Sequence, residues 1–141
     1  MSVTYRYGNL KDSIAVFARD PQISAHLLIW KLQNQEIILA IDEKAGLIGY
    51  LRLEYLWSKY PYIGLIVVQP DYRGRGIGAN LLAFAQDHLK RKGLRDLYSS
   101  SQANESRPQE WHRKMGFREC GILNDINEGK VGEVFFVKSI E

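Results

Sequence analysis

The feature that most constrains this chain is a glycine-rich hexapeptide, residues 73–78, which lies between two different hydrophobic patterns. An unbroken apolar run, residues 63–68, and a four-residue turn precede it, and an amphipathic segment from Ala79 to Lys92 follows. This order predicts a strand, a loop and a helix. Glycines let a ligand approach the backbone because no Cβ stands in the way. The first amides of a helix lack internal partners and favour negative charge, so the sequence predicts a phosphate site here.

Two common glycine loops fit this segment poorly. A Walker loop requires G-x-x-x-x-G-K-[S/T], and no Lys-Ser or Lys-Thr pair follows these glycines. The dinucleotide pattern G-x-G-x-x-G/A does match Gly74, Gly76 and Ala79. However, its acidic residue would have to be Asp96, which lies near the start of the next apolar run instead of at its end. A nucleotide-binding module therefore stays open as an alternative, although too little sequence follows the loop for a second half of a doubly wound fold.

A third pattern, R/Q-x-x-G-x-G/A, fits Arg73, Gly76 and Gly78. It is the acetyl-CoA signature of the GNAT superfamily of N-acetyltransferases, and the chain resembles a GNAT domain over nearly its full length. The resemblance implies one domain, residues 1–141, that transfers an acetyl group from acetyl-CoA to a primary amine by direct attack in a ternary complex. The acceptor would be a small-molecule or peptide amine, and no metal is implied. The alternative is a non-catalytic acyl-CoA-binding regulatory domain.

The periodicities predict the element order β-α-α-β-β-β-α-β-α-β-β, an α/β (α+β) fold with a mixed sheet and helices on both faces. The resemblance implies a mostly antiparallel sheet of about six to seven strands. The run from Tyr62 to Val68 does not alternate, which predicts a central strand buried on both faces.

Local signals predict two helix starts. Asp20 is expected as an N-cap with Pro21 in the first helical position, and the helix would bury Leu27 and Trp30 among its apolar residues. Ser106 is expected to open a later helix through a capping box with a glutamine three residues on.

The resemblance also assigns the cofactor contacts. The end of the strand before the loop would bind the pantetheine through main-chain groups of Ile66, Val67 and Val68, and one N–H there would polarise the acetyl carbonyl. Asn104 matches a family asparagine, although its spacing to the following aromatic residue is one longer than usual. The pyrophosphate anchor would consist of Arg73, Gly74, Arg75, Gly76, Ile77, Gly78 and Ala79.

Two residues are candidates for acid–base chemistry. The family places an acidic tyrosine in a pattern like FYxKxGF, and counting back from Gly116 puts His112 at that position. A histidine titrates near neutral pH and can protonate a thiolate, whereas the other interpretation is a histidine that only packs beside Trp111. The strand before the loop contains no carboxylate, so the candidate base is Glu54 on the preceding strand, on a face that fits either a site edge or solvent. A water relay without a dedicated base is the alternative.

Several other residues are expected to be structural. His26 and His88 have no second ligand nearby in sequence, so no metal site is expected. Cys120 is expected to be a small core residue. The serines 99–101 fit either the edge of a cofactor cleft or a polar strand end. Four hairpin aromatics fit an acceptor pocket, an interface or cross-strand pairing: Tyr55, Trp57, Tyr60 and Tyr62.

Composition limits the remaining classes of function. The length of 141 residues suits one domain, and 45% hydrophobic and 25% charged residues are ordinary globular values. The densest basic run, residues 90–92, ends a predicted helix, where cations complement the dipole, so no nucleic-acid partner is expected despite a net charge of +3. No apolar run reaches membrane-spanning length, and the single cysteine favours a cytoplasmic setting. A homodimer through an exposed hairpin or the C-terminal strand is possible.

Overall fold

The computed structural model describes residues 2–141, and among them seven strands form one sheet. The strands are β1 (Val3–Tyr7), β2 (Ile37–Asp42), β3 (Gly46–Leu56), β4 (Tyr60–Val68), β5 (Asp96–Gln102), β6 (Arg118–Leu123) and β7 (Glu133–Ser139). The α-helices are α1 (Ser13–Arg19), α2 (Ala25–Gln33), α3 (Ile77–Arg91) and α4 (Ser106–Lys114). The strand order is β1-β2-β3-β4-β5-β7-β6. Strands β4 and β5 run parallel, whereas β1–β2, β2–β3, β5–β7 and β6–β7 are antiparallel. The predicted mixed, mostly antiparallel sheet is confirmed.

Contacts between Cα atoms divide the chain into two compact units. The first consists of Met1–Leu53 and Leu65–His88, and the second consists of Glu54–Gly64 and Leu89–Glu141. None of the helices in the described part of the chain has the length and apolar composition of a membrane-spanning segment.

Strands β2 and β3 form the core of the first unit, where helices cover them on both sides. On one side, Val16 of α1 and Leu28 of α2 pack in a cluster with Leu39 and Tyr50. On the other side α3 approaches bare backbone: a Cβ added to Gly49 would lie 3.0 Å from the Ile77 Cγ2 atom. Double coverage explains why the residues 37–40 and 47–53 are buried without alternation.

The prediction that β4 is buried on both faces is wrong. Only Pro61 and Ile63 of this strand are buried, and residues 64–68 are half-buried. An unbroken apolar run therefore marks a strand whose C-terminal half still reaches solvent. The doubly covered strands of this fold are β2 and β3 instead.

The predicted start of α2 is also wrong, and of its predicted apolar face, which included Leu28 and Ile29, only Leu28 is buried among these leucine, isoleucine and tryptophan positions. The helix begins at Ala25, and its N-cap is Ser24, whose Oγ accepts a hydrogen bond from the Leu27 amide at 3.2 Å. Leu27 and Trp30 are 39% and 49% exposed, whereas Leu28, Lys31 and Leu32 are buried. The buried lysine is possible because its Nζ lies 2.8 Å from Glu36 Oε1 and 2.6 Å from the Leu53 carbonyl.

Two further local predictions fail. Ser106 is the first residue of α4 and not its cap; Glu105 occupies the N-cap without a side-chain hydrogen bond. The predicted partner Gln109 donates to the carbonyls of Gln102 and Ala103 at 3.1 Å, so it ties the helix to the end of β5. Cys120 is exposed on β6, because that strand lies at the edge of the sheet.

Asp20, expected as a helix cap, is a buried carboxylate at the end of α1. Its Oδ2 accepts hydrogen bonds from the Tyr50 hydroxyl and from Arg52 Nε, each at 2.7 Å. All three residues are less than a tenth exposed. Burial and the hydrogen bond to Asp20 raise the pKa of Tyr50, which therefore remains a neutral donor. The network fixes the segment between α1 and α2 to β3.

We predict that Asp20→Ala lowers the free energy of unfolding by about 3 to 5 kcal/mol, because it removes the carboxylate from a buried charge pair. Tyr50→Phe removes one hydrogen bond and should cost about 1 kcal/mol. Urea denaturation of both variants measures these values, with exposed Asp71→Ala as the control. A loss for Asp20→Ala no larger than that of the control would contradict a stabilising network.

Candidate active site

The glycine loop links the end of β4 to the start of α3 in the first unit. Gly74 and Gly76 have φ values of +76° and +80°, and a Cβ added at either would meet nothing within 4 Å. Positive φ at both positions lets the chain turn from strand to helix within a few residues. The first α-helical hydrogen bond runs from the Asn80 amide to the Gly76 carbonyl at 3.0 Å. The amides of residues 77–79 therefore belong to the helix end that has no internal acceptors.

The two arginines of the loop have different surroundings. Arg73 is exposed and its Nε donates to the Val68 carbonyl at 3.1 Å. The Arg75 guanidinium lies over the Tyr72 ring, 5.2 Å from its centroid. Arg75 and Tyr72 also line a hollow of about 660 Å³ together with Lys44 and two acidic residues, Asp42 and Glu43. The loop thus carries two cations in addition to its backbone amides.

The strand end that precedes the loop is half-buried at Ile66, Val67 and Val68. The Gln69 amide donates to the Ile48 carbonyl at 2.9 Å, which fixes this end to the start of β3. Because Arg73 uses the Val68 carbonyl, that acceptor is already hydrogen-bonded. The role of these three residues as a pantetheine track stays a prediction.

The other predicted residues belong to the second unit. His112, on α4, is 3% exposed and both its ring nitrogens are hydrogen-bonded. Nδ1 lies 2.7 Å from the Pro108 carbonyl, so it carries the hydrogen, and Nε2 lies 2.7 Å from Ser99 Oγ and accepts from it. The ring stacks on Phe136 with 4.5 Å between centroids. Burial lowers the pKa of His112, which favours the neutral ring.

This arrangement joins α4 to β5 and β7 through a neutral imidazole. His112 therefore holds α4 against these two strands. Its role as the acid that protonates the thiolate stays a prediction. Asn104 is exposed in the turn between β5 and α4. Glu54 is half-buried on β3, whereas Tyr50 and Arg52, four and two residues earlier, are buried in the Asp20 network. The face of β3 that carries Glu54 is therefore buried, and not exposed to solvent, at positions 50 and 52.

Alternation along β5 separates the three serines. Ser99 and Ser101 are buried, whereas Ser100 is half-buried and bonds to Tyr62 and Glu133. No local sequence signal predicts the contacts of Ser100, because Tyr62, Ser100 and Glu133 come from different strands. Among residues 2–141, no cluster of three or more His, Cys, Asp and Glu side chains could hold a metal ion.

The hairpin aromatics pair with one another and with neighbouring strands of the second unit. Trp57 and Tyr60 meet edge to face at 5.9 Å, and Tyr60 meets Tyr98 of β5 at 6.1 Å. Trp57 is 84% exposed and Tyr60 is 41% exposed. Trp57, in the turn after β3, therefore packs on Tyr60, and Tyr60 packs on β5, while both rings leave part of their surface exposed.

Comparison with known proteins identifies the family. The family model of the Acetyltransferase (GNAT) family matches residues 9–117. The chain belongs to the GNAT acetyltransferase family. It is 28% identical over 101 residues to streptothricin acetyltransferase of Streptomyces lavendulae, covering 71% of this chain and 53% of that protein. This GNAT chain therefore spans about half the length of that relative.

Solved structures share the GNAT fold. The NatC complex bound to Gag peptide and CoA has a chain that superimposes with a TM-score of 0.81 at 18% identity, over 99% of both chains. A structure from Bacillus anthracis str. Ames in complex with acetyl coenzyme A has a TM-score of 0.67 at 24% identity, over 73% of this chain and 61% of that one. These likenesses show that the chain has the GNAT fold.

We predict that His112 makes the protein less stable in acid. Because the folded pKa lies below the usual value of about 6.5, the unfolded chain binds more protons as the pH falls, and stability decreases. The difference in melting temperature between the parent and His112→Gln should be largest near pH 7.5 and should shrink toward about pH 5.5. Exposed His26→Gln is the control. A difference that stays constant with pH would contradict a depressed pKa.

Proposed function

We propose that this protein is an N-acetyltransferase that moves the acetyl group of acetyl-CoA to a primary amine by direct attack in a ternary complex. The observation that carries the proposal is the glycine loop: two residues with positive φ deliver the chain into α3, in a member of an acetyltransferase family. CoA and acetyl-CoA in the two related structures support the same cosubstrate. The acceptor would be a small-molecule or peptide amine.

The residues that would hold the pyrophosphate are those of the loop and of the first turn of α3. Amides of residues 77–79 would donate to phosphate oxygens, helped by the helix dipole. Arg73 and Arg75 would add positive charge, and Lys44 faces the same hollow as Arg75. Small residues at Gly74, Gly76, Gly78 and Ala79 would let the phosphates approach the backbone.

The acetyl end would be bound by the half-buried end of β4. Main-chain groups of Ile66, Val67 and Val68 would bond the pantetheine, and an amide there would stabilise the oxyanion as the amine attacks, an effect worth about 3 kcal/mol. Asn104 is proposed as a further cofactor contact. His112 is proposed to protonate the leaving thiolate and Glu54 to accept the proton of the amine, with a water relay as the alternative to Glu54.

We also propose that residues 1–141 act as one domain, because the matched segment, residues 9–117, includes parts of both compact units. A cytoplasmic setting and a homodimer stay predictions.

The second candidate function is a regulatory domain that binds acyl-CoA without transfer. It is favoured by one observation, namely that both nitrogens of His112 are already hydrogen-bonded.

Calorimetric titration with acetyl-CoA, with NADH as control, tests the loop. Thiol release from acetyl-CoA in the presence of spermidine, streptothricin or a peptide with a free N-terminus tests transfer. We expect micromolar acetyl-CoA binding, no NADH binding and thiol release with at least one amine class. Binding without release from any amine would favour the regulatory domain, and no binding would overturn the assignment.

We predict that Gly76→Ala weakens acetyl-CoA binding by roughly tenfold or more. The new Cβ would stand where phosphate must approach the backbone, and the left-handed φ adds roughly 1–2 kcal/mol of strain. Gly93→Ala is a matched control, since Gly93 has the same φ of +80° and equally open space but lies at the end of α3. Equal acetyl-CoA affinity of the two variants, measured by calorimetry, would contradict a phosphate site at the loop.

We predict that His112→Ala lowers kcat at least roughly tenfold while acetyl-CoA affinity changes only a few-fold, as expected for a catalytic acid. His112→Gln separates the acid from a positioning role, because glutamine can replace hydrogen bonds but cannot supply the proton. Full kcat in His112→Gln, determined by steady-state thiol release, would refute the acid assignment and leave positioning.

A further inference from the structure

Helix α2 is apolar on all sides, although only one side of it is buried. The buried side is centred on Leu28. Leu27 and Ile29 flank it and Trp30 lies nearly opposite it, because successive residues are turned by about 100° around a helix. Leu27, Ile29 and Trp30 are between 39% and 49% exposed. A helix that is apolar all round is typical of one that is covered all round.

Helix α1 packs against α2 and also exposes a large apolar side chain. Ile14 of α1 is 84% exposed. We call Ile14, Leu27, Ile29 and Trp30 the α1–α2 surface. Single exposed apolar residues are normal on a protein surface, whereas a group of them on two adjoining helices is typical of an interaction site.

The α1–α2 surface carries no formal charge. Between residues 13 and 34 only Arg19, Asp20 and Lys31 are charged. Asp20 and Lys31 are buried in ion pairs, and the Arg19 guanidinium donates to the Leu47 carbonyl at 3.0 Å. All three charges are therefore engaged with the interior of the first unit, and none is left for an outside partner.

The other two long helices have charged residues on their exposed sides. Asp87 and Lys90 are exposed on α3, and Arg107 and Glu110 are exposed on α4. The lack of charge is thus a local property of α1 and α2 in a chain with 25% charged residues. His26 is the one titratable side chain exposed on α2, and a neutral imidazole is compatible with an uncharged contact.

We propose that the α1–α2 surface binds a second copy of this chain about a two-fold axis. Such an axis sets a surface against itself, so a charged side chain near the axis would meet its own copy. An uncharged surface that contains a tryptophan avoids this repulsion and has the composition of a homodimer interface. Antiparallel pairing of two α2 helices would set Leu27 of each copy against Trp30 of the other.

A lipid surface and an unrelated protein fit the α1–α2 surface less well. Helices that lie on membranes carry Lys and Arg on their polar side, whereas the single lysine or arginine of α2, Lys31, is buried and donates to Glu36. A different protein is commonly selected through complementary charges, which the α1–α2 surface does not offer. A second copy is the partner for which the lack of charge is an advantage.

This dimer goes beyond acetyl transfer and does not depend on it. It also uses a different part of the chain from the hairpin and the C-terminal strand, which are the sites of self-association expected from the sequence. The two tryptophans Trp30 and Trp57 therefore distinguish the two arrangements, because Trp30 lies on α2 and Trp57 lies in the hairpin turn after β3.

The test is sedimentation velocity of the full chain at concentrations from about 1 to about 100 µM. The parent should sediment with twice the chain mass of 16.2 kDa. Leu27→Glu and Trp30→Lys should each raise the dissociation constant of the dimer on the order of a hundredfold, because a charge is then placed in both symmetry-related apolar contacts. Trp57→Lys is the matched control and should leave the dimer unchanged.

Leu27→Glu is chosen because it should not disturb the helix. Ser24 is the N-cap of α2 and accepts a hydrogen bond from the amide of residue 27. A glutamate three residues after a serine cap completes a capping box, which stabilises the start of a helix. Thermal melting of each variant establishes that it is folded.

Mixing the two variants tests the antiparallel geometry. In a mixed dimer of Leu27→Glu with Trp30→Lys, one contact pairs the introduced carboxylate with the introduced ammonium, and the other contact keeps the original leucine and tryptophan. The equimolar mixture should therefore associate at least roughly tenfold more tightly than either variant alone. Folded variants that stay monomeric on mixing would overturn the two-fold arrangement.

The remaining outcomes are equally decisive. A parent that is monomeric over the whole concentration range overturns the dimer, and flotation of that parent with phosphatidylcholine vesicles would identify a lipid surface as the occupant. A dimer that persists in both Leu27→Glu and Trp30→Lys overturns the assignment to α2. Dissociation by Trp57→Lys in place of these variants would locate the contact at the hairpin and overturn it as well.

Discussion

Ile77 packs against the bare backbone of Gly49, and this contact fixes the position at which the glycine loop ends. Ile77 is the first residue of α3 and directly follows Gly76. Any side chain at position 49 would meet Ile77 and, one turn later, Leu81 within 3.1 Å. The helix therefore rests on β3 at its first turn, and the amides at its N-terminus are held by core packing and not by the loop alone. The half-buried end of β4 is tied to the same strand through Gln69.

Local signals predicted the elements that depend on neighbouring residues only. The order of strand, glycine loop and helix follows from residues close together in sequence. The buried face of α2 does not, because the helix carries two apolar stripes and periodicity cannot tell which one meets the sheet. The buried stripe is the one that contains Lys31. Its aliphatic chain packs inward because its ammonium group donates hydrogen bonds to Glu36 and to the Leu53 carbonyl. Asp20 is misread for the same reason, since its partners lie on β3, thirty residues away in sequence.

The candidate site also contains one part that local sequence predicts and one part that it does not. The glycine loop and its place between a strand and a helix could be predicted because the glycines, the preceding strand and the following helix form one continuous segment. The hydrogen bonds of Ser100 with Tyr62 and Glu133 could not be, because the pairing of strands distant in sequence brings these residues together. The three consecutive serines illustrate the limit. Alternation sends Ser99 toward the imidazole of His112 and Ser100 toward the carboxylate of Glu133, and the sequence does not distinguish them.

Strand β6 has a consequence for self-association. It forms an edge of the sheet, all six of its residues are exposed, and its pairing with β7 shifts register between Glu119 and Gly121. A bulge and charged residues, such as Arg118 and Glu119, are the features that keep edge strands from pairing with other chains. Ile122 and Leu123 are exposed, but they lie on an irregular strand to which a further strand would pair poorly. At this edge, the bulge and the charges disfavour the open-ended addition of further strands.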